Sequence, residues 1–538
     1  MSTSDSAVFK DINDIPEKYR FKFTRQTEYL LDGNILSWKG DTLDVVSPIC
    51  TREGDTLKPA VIGSYPSHTP EEALKALNAA SAAYDNGRGP WPVMSVQERI
   101  NCTIKFVNRM KEKRDEIVNW LMWEIGKNLA DSQKEFDRTV EYIIATIEAL
   151  KDLDRISSRF AIDGGIFAQI RRAPLGVVLC MGPFNYPLNE TFTTLLPALI
   201  MGNTVVIKPA KYGVLLLQPL LEAFRDSFPG GVVNTIYGEG KTIIGPIMES
   251  GKVNVLAFIG SKKVSNILQK QHPMPNRLRT VLGLSAKNPA IVLDDADLDS
   301  AVTECITGSL SFNGQRCTAL KILFVHEKVV DEFNKRLAEK VAGLKAGLPW
   351  EEGVKITPLP EEGKTEWMKA YVDDALAHGA QVLNASGGKV TGTLMIPAVL
   401  YPVNNKMKLY EEEQFGPVVP VVPFRDLNEP VRYIQESCYG QQVSLFGNDL
   451  TRLAALIDPL VNQVCRVNLN CQCQRGPDSF PFTGRKDSAE GTLSITDALR
   501  VFSIRTLVAA KGSDMNKRIL SGIIKERKSA FLSTDFIL

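Results

Sequence analysis

Gly176-Val-Val-Leu-Cys-Met, Val205-Val-Ile-Lys-Pro, Val233-Asn-Thr-Ile-Tyr-Gly and Val255-Leu-Ala-Phe-Ile-Gly are four short β-rich runs, each bounded by glycine or proline. A helix-compatible segment follows every one of them. That alternation is the pattern of parallel strand-helix-strand units and predicts an α/β fold. Ligands of such sheets sit beyond the carboxyl ends of the strands. The turns that follow are therefore where chemistry is expected: Gly182-Pro-Phe-Asn-Tyr-Pro-Leu-Asn, Lys208-Pro-Ala-Lys and Gly260-Ser-Lys-Lys-Val. Singly these are weak signals, because most Gly-Ser turns only redirect the chain and most lone lysines face solvent. Upstream, residues 96–112 and 114–151 carry helical apolar spacing, with Trp120, Trp123, Ile125 and Leu129 on a buried face.

Composition narrows the function classes. A chain of 538 residues is long for one core, so two or three domains are expected. A net charge of +1 gives no electrostatic case for nucleic acid or an acidic membrane surface. The basic run at 111–114 reads as a solvated helix face. No apolar stretch approaches a membrane span, and the first twenty residues lack the apolar centre of a secretory signal. Nine cysteines at irregular spacing then argue for reduced thiols in the cytoplasm rather than a disulfide frame. Cys471 and Cys473 have no second pair and the chain has four histidines, so no metal site is expected.

Residues 312–318, Phe-Asn-Gly-Gln-Arg-Cys-Thr, follow an apolar, helix-compatible run from Ala301 to Phe312. Cys317 stands directly after Arg316, and a neighbouring cation is the setting that raises the thiolate fraction of a nucleophilic cysteine. The alternative for any one cysteine is a small buried apolar residue.

In order along the chain, the Asn185 turn, the Lys208 and Gly260 turns, Lys287-Asn-Pro, the Cys317 heptad and Glu411-Glu-Glu-Gln-Phe-Gly-Pro-Val resemble the aldehyde dehydrogenase superfamily over nearly the whole length. The resemblance implies a Rossmann-type cofactor domain, an α/β catalytic domain and a β oligomerisation arm. It implies that Cys317 adds to the aldehyde carbon while the Asn185 amide and the Cys317 backbone amide stabilise the oxyanion. Lys208 and Glu413 match the positions that hold the ribose hydroxyls, Gly260 and Ser261 the turn beside the pyrophosphate, and Phe415 the residue near the nicotinamide. Phe415 reads equally well as a core aromatic.

Within the superfamily, Arg138, Arg316, Arg475 and Tyr186 resemble the anion site of the non-phosphorylating glyceraldehyde-3-phosphate dehydrogenases. Three guanidinium groups suit a dianionic phosphate, although they also suit a carboxylate, as in succinic semialdehyde dehydrogenases, or structural ion pairs. Lys211 stands where members that prefer NAD commonly carry a glutamate, so NADP is favoured, with NAD as the alternative.

One departure stands against these agreements. The family's deacylating base is a glutamate, and counting back from Lys287 its position is Gly283; with the alignment slipped by two it is Ser285, on the same face of an extended strand. Neither takes a proton from water as a tuned carboxylate does. Impaired hydrolysis, transfer to coenzyme A, or a catalytically weak binding or structural descendant of the fold all remain open. The resemblance divides the chain into a cofactor domain (1–151 and 174–290), a catalytic domain (291–484), an arm (152–173 and 485–510) that pairs subunits into a homodimer or homotetramer, and an extension (511–538) with a short amphipathic helix.

Overall fold

The computed structural model describes residues 8–54 and 56–535. Residues 1–7 and 536–538, assigned above to the cofactor domain and the extension, lie outside the described residues. The four quoted runs become the strands Val177–Met181, Thr204–Lys208, Val233–Thr235 and Val255–Ile259. They are parallel members of one six-stranded sheet. Its order is Val233–Thr235, Thr204–Lys208, Val177–Met181, Val255–Ile259, Arg279–Gly283 and Ala489–Glu490, the last antiparallel. Val177–Met181 is buried along its length, as expected of a strand covered on both faces. The chain enters at this central strand and winds first one way and then the other. The turns after Val177–Met181 and its neighbour Val255–Ile259 therefore part and leave a crevice.

A second sheet of seven strands is built around Asn288–Val292, Leu320–His326, Val418–Phe424 and Gln442–Phe446, which run parallel. Residues 284–287 alone join Arg279–Gly283 of the first sheet to Asn288–Val292 of the second. The segment that lacks the expected carboxylate is thus the hinge between the two sheets.

The apolar stretch 114–151 is not one helix. It divides into Arg114–Ile125 and Leu129–Ser157, and Gly126, at φ +67°, closes the first. A Cβ there would lie 2.4 Å from the Pro358 carbonyl oxygen, so the left-handed stop is also a close approach that only glycine fills.

Phe160–Asp163, Ile166–Pro174 and Ser503–Lys511 form a three-stranded antiparallel sheet within the stretches assigned above to the arm. Its extent differs from the expected one. Residues 152–157 continue the Leu129–Ser157 helix, where buried Asp154 pairs with Arg171. At the other end, Ala489–Glu490 pairs with Leu282 and Gly283, and the helix Ile495–Val501 buries Ile495, Ala498 and Leu499. Apolar residues at helical spacing take those positions into the body rather than the arm. The extension forms the helix Asp514–Lys525, none of whose residues is buried. Among the described residues no helix is long and apolar enough to cross a membrane.

Candidate active site

Turns from both sheets close around a cavity of about 740 Å³. Its wall includes Asn185, Tyr186, Lys211, Gly260, Ser261, Gly283, Ser285, Arg316, Cys317, Glu413, Phe415, Arg138 and Arg475. Of the residues singled out from sequence, only Lys208 is missing from that wall. Burial there draws its ammonium down to about 8.

The loop carrying Cys317 is held by unusual backbone. Phe312, Asn313 and Gly314 all have positive φ, at 48°, 57° and 72°. A bulky residue in that region is strained and needs surrounding support. Asn313 provides it: its amide donates to the carbonyl and hydroxyl of Thr357, each at 3.0 Å, and its oxygen accepts from the Thr357 amide at 2.9 Å. On the far side, Asn288 donates to the Cys317 carbonyl at 2.8 Å.

The thiol itself departs from the sequence reading. Burial pushes Cys317 up to about 11, the charge of Glu190 pushes the same way, and Arg475, Gln441 and Lys321 pull back less. Of the cations, Arg475 and Lys321 supply the main pull on the thiol rather than the expected Arg316. Its guanidinium donates to the carbonyls of Thr307 and Gly308, at 3.1 and 2.9 Å, and to Gln472 at 3.3 Å.

Asn185 sits on a platform that sequence reasoning missed. Its side-chain amide donates to the Gln315 carbonyl at 2.8 Å, tying the turn to the cysteine loop. Its own carbonyl accepts from Lys127 at 2.8 Å. Lys127 and Glu135 are fully buried and paired, and Glu135 accepts from the amides of Leu188 and Asn189, each at 3.1 Å. The Lys127 ammonium also lies 3.6 Å from the centre of the Tyr186 ring. The only sequence signal was Gly126-Lys-Asn, a helix stop followed by a helix start.

Of the three arginines, two already have carboxylate partners. Arg138 makes a two-pronged pair with Asp478 at 2.9 and 2.7 Å. Arg475 pairs with Glu190, approaches Asp478 at 3.3 Å and donates to the Leu493 carbonyl at 3.1 Å. The cluster of free guanidinium groups expected from sequence is therefore largely neutralised, and Arg316 contributes the remaining unpaired charge.

On the cofactor side, Glu413 accepts from the Ala286 amide and pairs with Lys321, both at 3.2 Å. Phe415 packs edge-on against Phe184 with ring centres 5.8 Å apart, and its ring borders the cavity. The Gly260 amide was expected to face a phosphate, but it donates to the Gly283 carbonyl at 2.9 Å as the ladder continues. The donors at this turn are instead the first amides of the helix Lys262–Gln271, which Ser261 caps through Val264 at 3.4 Å. A helix start bearing Lys263, with Lys262 paired to Asp487, a half-buried Lys208 that has no ion pair among the described residues, and an aromatic wall suit a dinucleotide.

Gly283 and Ser285 both border the cavity, Gly283 as the last residue of the strand and Ser285 in the segment that follows it. Gly283 does not have positive φ, and a Cβ there would meet only the Ile259 side chain, at 3.3 Å. Glycine is not required at this position by its backbone.

A doubly wound sheet meeting a second, largely parallel sheet over a cysteine loop defines a class of dehydrogenase. The chain belongs to the aldehyde dehydrogenase family, which it matches over residues 42–507. It is 32% identical to an NADP-dependent glyceraldehyde-3-phosphate dehydrogenase of Streptococcus equinus over 461 residues, 84% of this chain and 92% of that protein. It is 28% identical to a malonate-semialdehyde dehydrogenase of Bacillus subtilis subsp. natto, covering 90% of this chain and 98% of that one. The crystal structure of NADP-dependent glyceraldehyde-3-phosphate dehydrogenase from Bacillus halodurans C-125, complexed with NADP, superposes with a TM-score of 0.82 at 31% identity, covering 91% of this chain and 100% of that chain.

Proposed function

We propose that this chain oxidises glyceraldehyde 3-phosphate to 3-phosphoglycerate with NADP through a thioester on Cys317, and that hydrolysis of the thioester is its slow step. The observation that carries this reading is one cavity bordered by Cys317, Asn185, the arginine cluster and Lys211 together. Names of the relatives at 31–32% identity support the substrate and the cofactor.

The aldehyde carbon bonds to the Cys317 sulfur. The remaining hydrogen of the Asn185 amide faces the developing oxyanion, and its rigid mounting on Lys127 and Glu135 means that little reorganisation is needed. Bound NADP supplies the hydride acceptor. Lys208 and Glu413 would hold its ribose hydroxyls, the Gly260–Ser261 turn its pyrophosphate, Lys211 its 2′-phosphate, and Phe415 would pack near its nicotinamide. Arg316 with Arg138 and Arg475, joined by Tyr186, would take the substrate anion. Neither Gly283 nor Ser285 offers a base to the hydrolytic water. The exposed edge of Ser503–Lys511, with Ile504 and Leu507 in solvent, is proposed to pair with a second copy.

A second reading, a semialdehyde dehydrogenase, is favoured by the pairing of Arg138 and Arg475 with Asp478 and Glu190, because a monoanion needs less free positive charge. Specificity constants for glyceraldehyde 3-phosphate, malonate and succinic semialdehydes and an uncharged aldehyde decide between them. A higher constant for either semialdehyde replaces the phosphate reading. An arginine that bonds the anion should be worth about 1.5–3 kcal/mol in the comparison with its alanine variant.

A further inference from the structure

We infer that Glu190 accepts the proton of the water that hydrolyses the Cys317 thioester, an assignment that rests on the cysteine chemistry proposed above. Five carboxylates border the cavity: Asp131, Glu135, Glu190, Glu361 and Glu413. Glu135 is locked between Lys127 and two backbone amides. Glu413 is held by Lys321 and the Ala286 amide. Glu361 pairs with Lys364 at 2.6 Å, and Asp131 is bonded by Asn128 at the start of its helix.

Glu190 is placed differently. It lies in the first turn of the helix Asn189–Ile200, and its amide donates to the Tyr186 carbonyl at 3.1 Å, so the helix start is continuous with the oxyanion turn. Arg475 anchors one oxygen, Oε2, while Oε1 accepts no hydrogen bond from any described residue. Both it and Cys317 border the same volume, and its charge reaches the thiol.

In the step itself, the water oxygen bonds to the thioester carbon as one of its protons passes to Oε1. Collapse of the tetrahedral adduct breaks the carbon–sulfur bond, and the departing sulfur takes the proton back from Glu190. The acid product ionises, so the hydrolytic step releases one proton to solvent. A carboxylate approaching from the helix side replaces, less favourably, the one absent from Gly283.

The test uses p-nitrophenyl acetate, an activated ester that acylates a cysteine without NADP and without an anionic tail. Nitrophenolate release is followed through burst and steady phases. Glu190→Gln should keep the burst amplitude and slow the steady phase by about 10²-fold, the lower range for a general base. Added formate should restore the steady phase in Glu190→Ala. A parental steady phase in Glu190→Gln, loss of its burst, or a Glu190→Ala variant indifferent to formate overturns the assignment. In the same assay Gly283→Glu should speed the steady phase of the parent chain. Failure of that arm sinks the slow-hydrolysis reading and leaves Glu190 untouched.

Discussion

The two lips of the cavity are built to different standards. On one, Asn185 and Cys317 are joined through Gln315 and seated on a fully buried ion pair, with Asn313 and Asn288 pinning the cysteine loop. On the other, residues 283–285 offer a glycine, a leucine and a serine at the junction of two sheets. Preorganised donors contribute where charge develops, and only the first lip has them. The contrast teaches that the proposed chemistry leans on one side of the cavity: the groups assigned to bond formation, and Glu190 assigned to hydrolysis, all belong to the first lip, while the second holds only the bare position of the missing carboxylate.

The strongest way to break the contrast is to remove the nucleophile. Cys317→Ser should reduce the burst of reduced cofactor to background while NADP binding, followed by fluorescence, persists; a full burst would place the chemistry elsewhere. The first lip can be probed next. Lys127→Met leaves Glu135 buried without its partner and should cost about 3–5 kcal/mol in denaturant unfolding, whereas Lys127→Met with Glu135→Leu should recover most of that. If the pair seats Asn185, the double variant recovers stability but not the burst. Burial of the thiol gives a third test. With Cys317 near 11, the thiolate is the minor form at pH 7, and labelling by iodoacetamide should rise about tenfold per pH unit towards that value. A midpoint below pH 8 would show a cation acting on the sulfur. The smallest effect belongs to exposed Lys211: Lys211→Glu should shift the NADP to NAD preference by on the order of 1 kcal/mol. An unchanged ratio would put that lysine in solvent.

Much of the fold was legible because parallel, doubly covered strands declare themselves as apolar runs, and the turns after them bring the predicted residues to one wall. Two kinds of information were not. Pairings such as Lys127 with Glu135 under Asn185, or Arg475 with Glu190 across 285 positions, leave no periodicity in the chain. Hydrogen bonding within an irregular loop is equally silent, and the bonds that hold Arg316 to Thr307, Gly308 and Gln472 could not be read from its place beside Cys317. Glu190 directly follows the segment quoted for Asn185, and a carboxylate in a helix's first turn has an ordinary explanation that gives no sign of a catalytic role. The strand end at Gly283 depended on where the two sheets meet.

The stretch after the Asp514–Lys525 helix returns to the arm. Arg171, nearly buried, donates to the Phe531 carbonyl at 2.7 Å, and Gln169 to the Ser533 carbonyl at 2.7 Å, while Leu532 is 6% exposed. Those partners are made more than 350 positions after the strand they serve. Chains grow from the amino end, and earlier domains settle first. During synthesis, then, Gln169 and Arg171 can bond Ser158 and Asp154 early, but their remaining donors wait for residues 531–533. The arm strand is therefore completed only after residues 531–533 have been made, and any assembly that uses it waits for them.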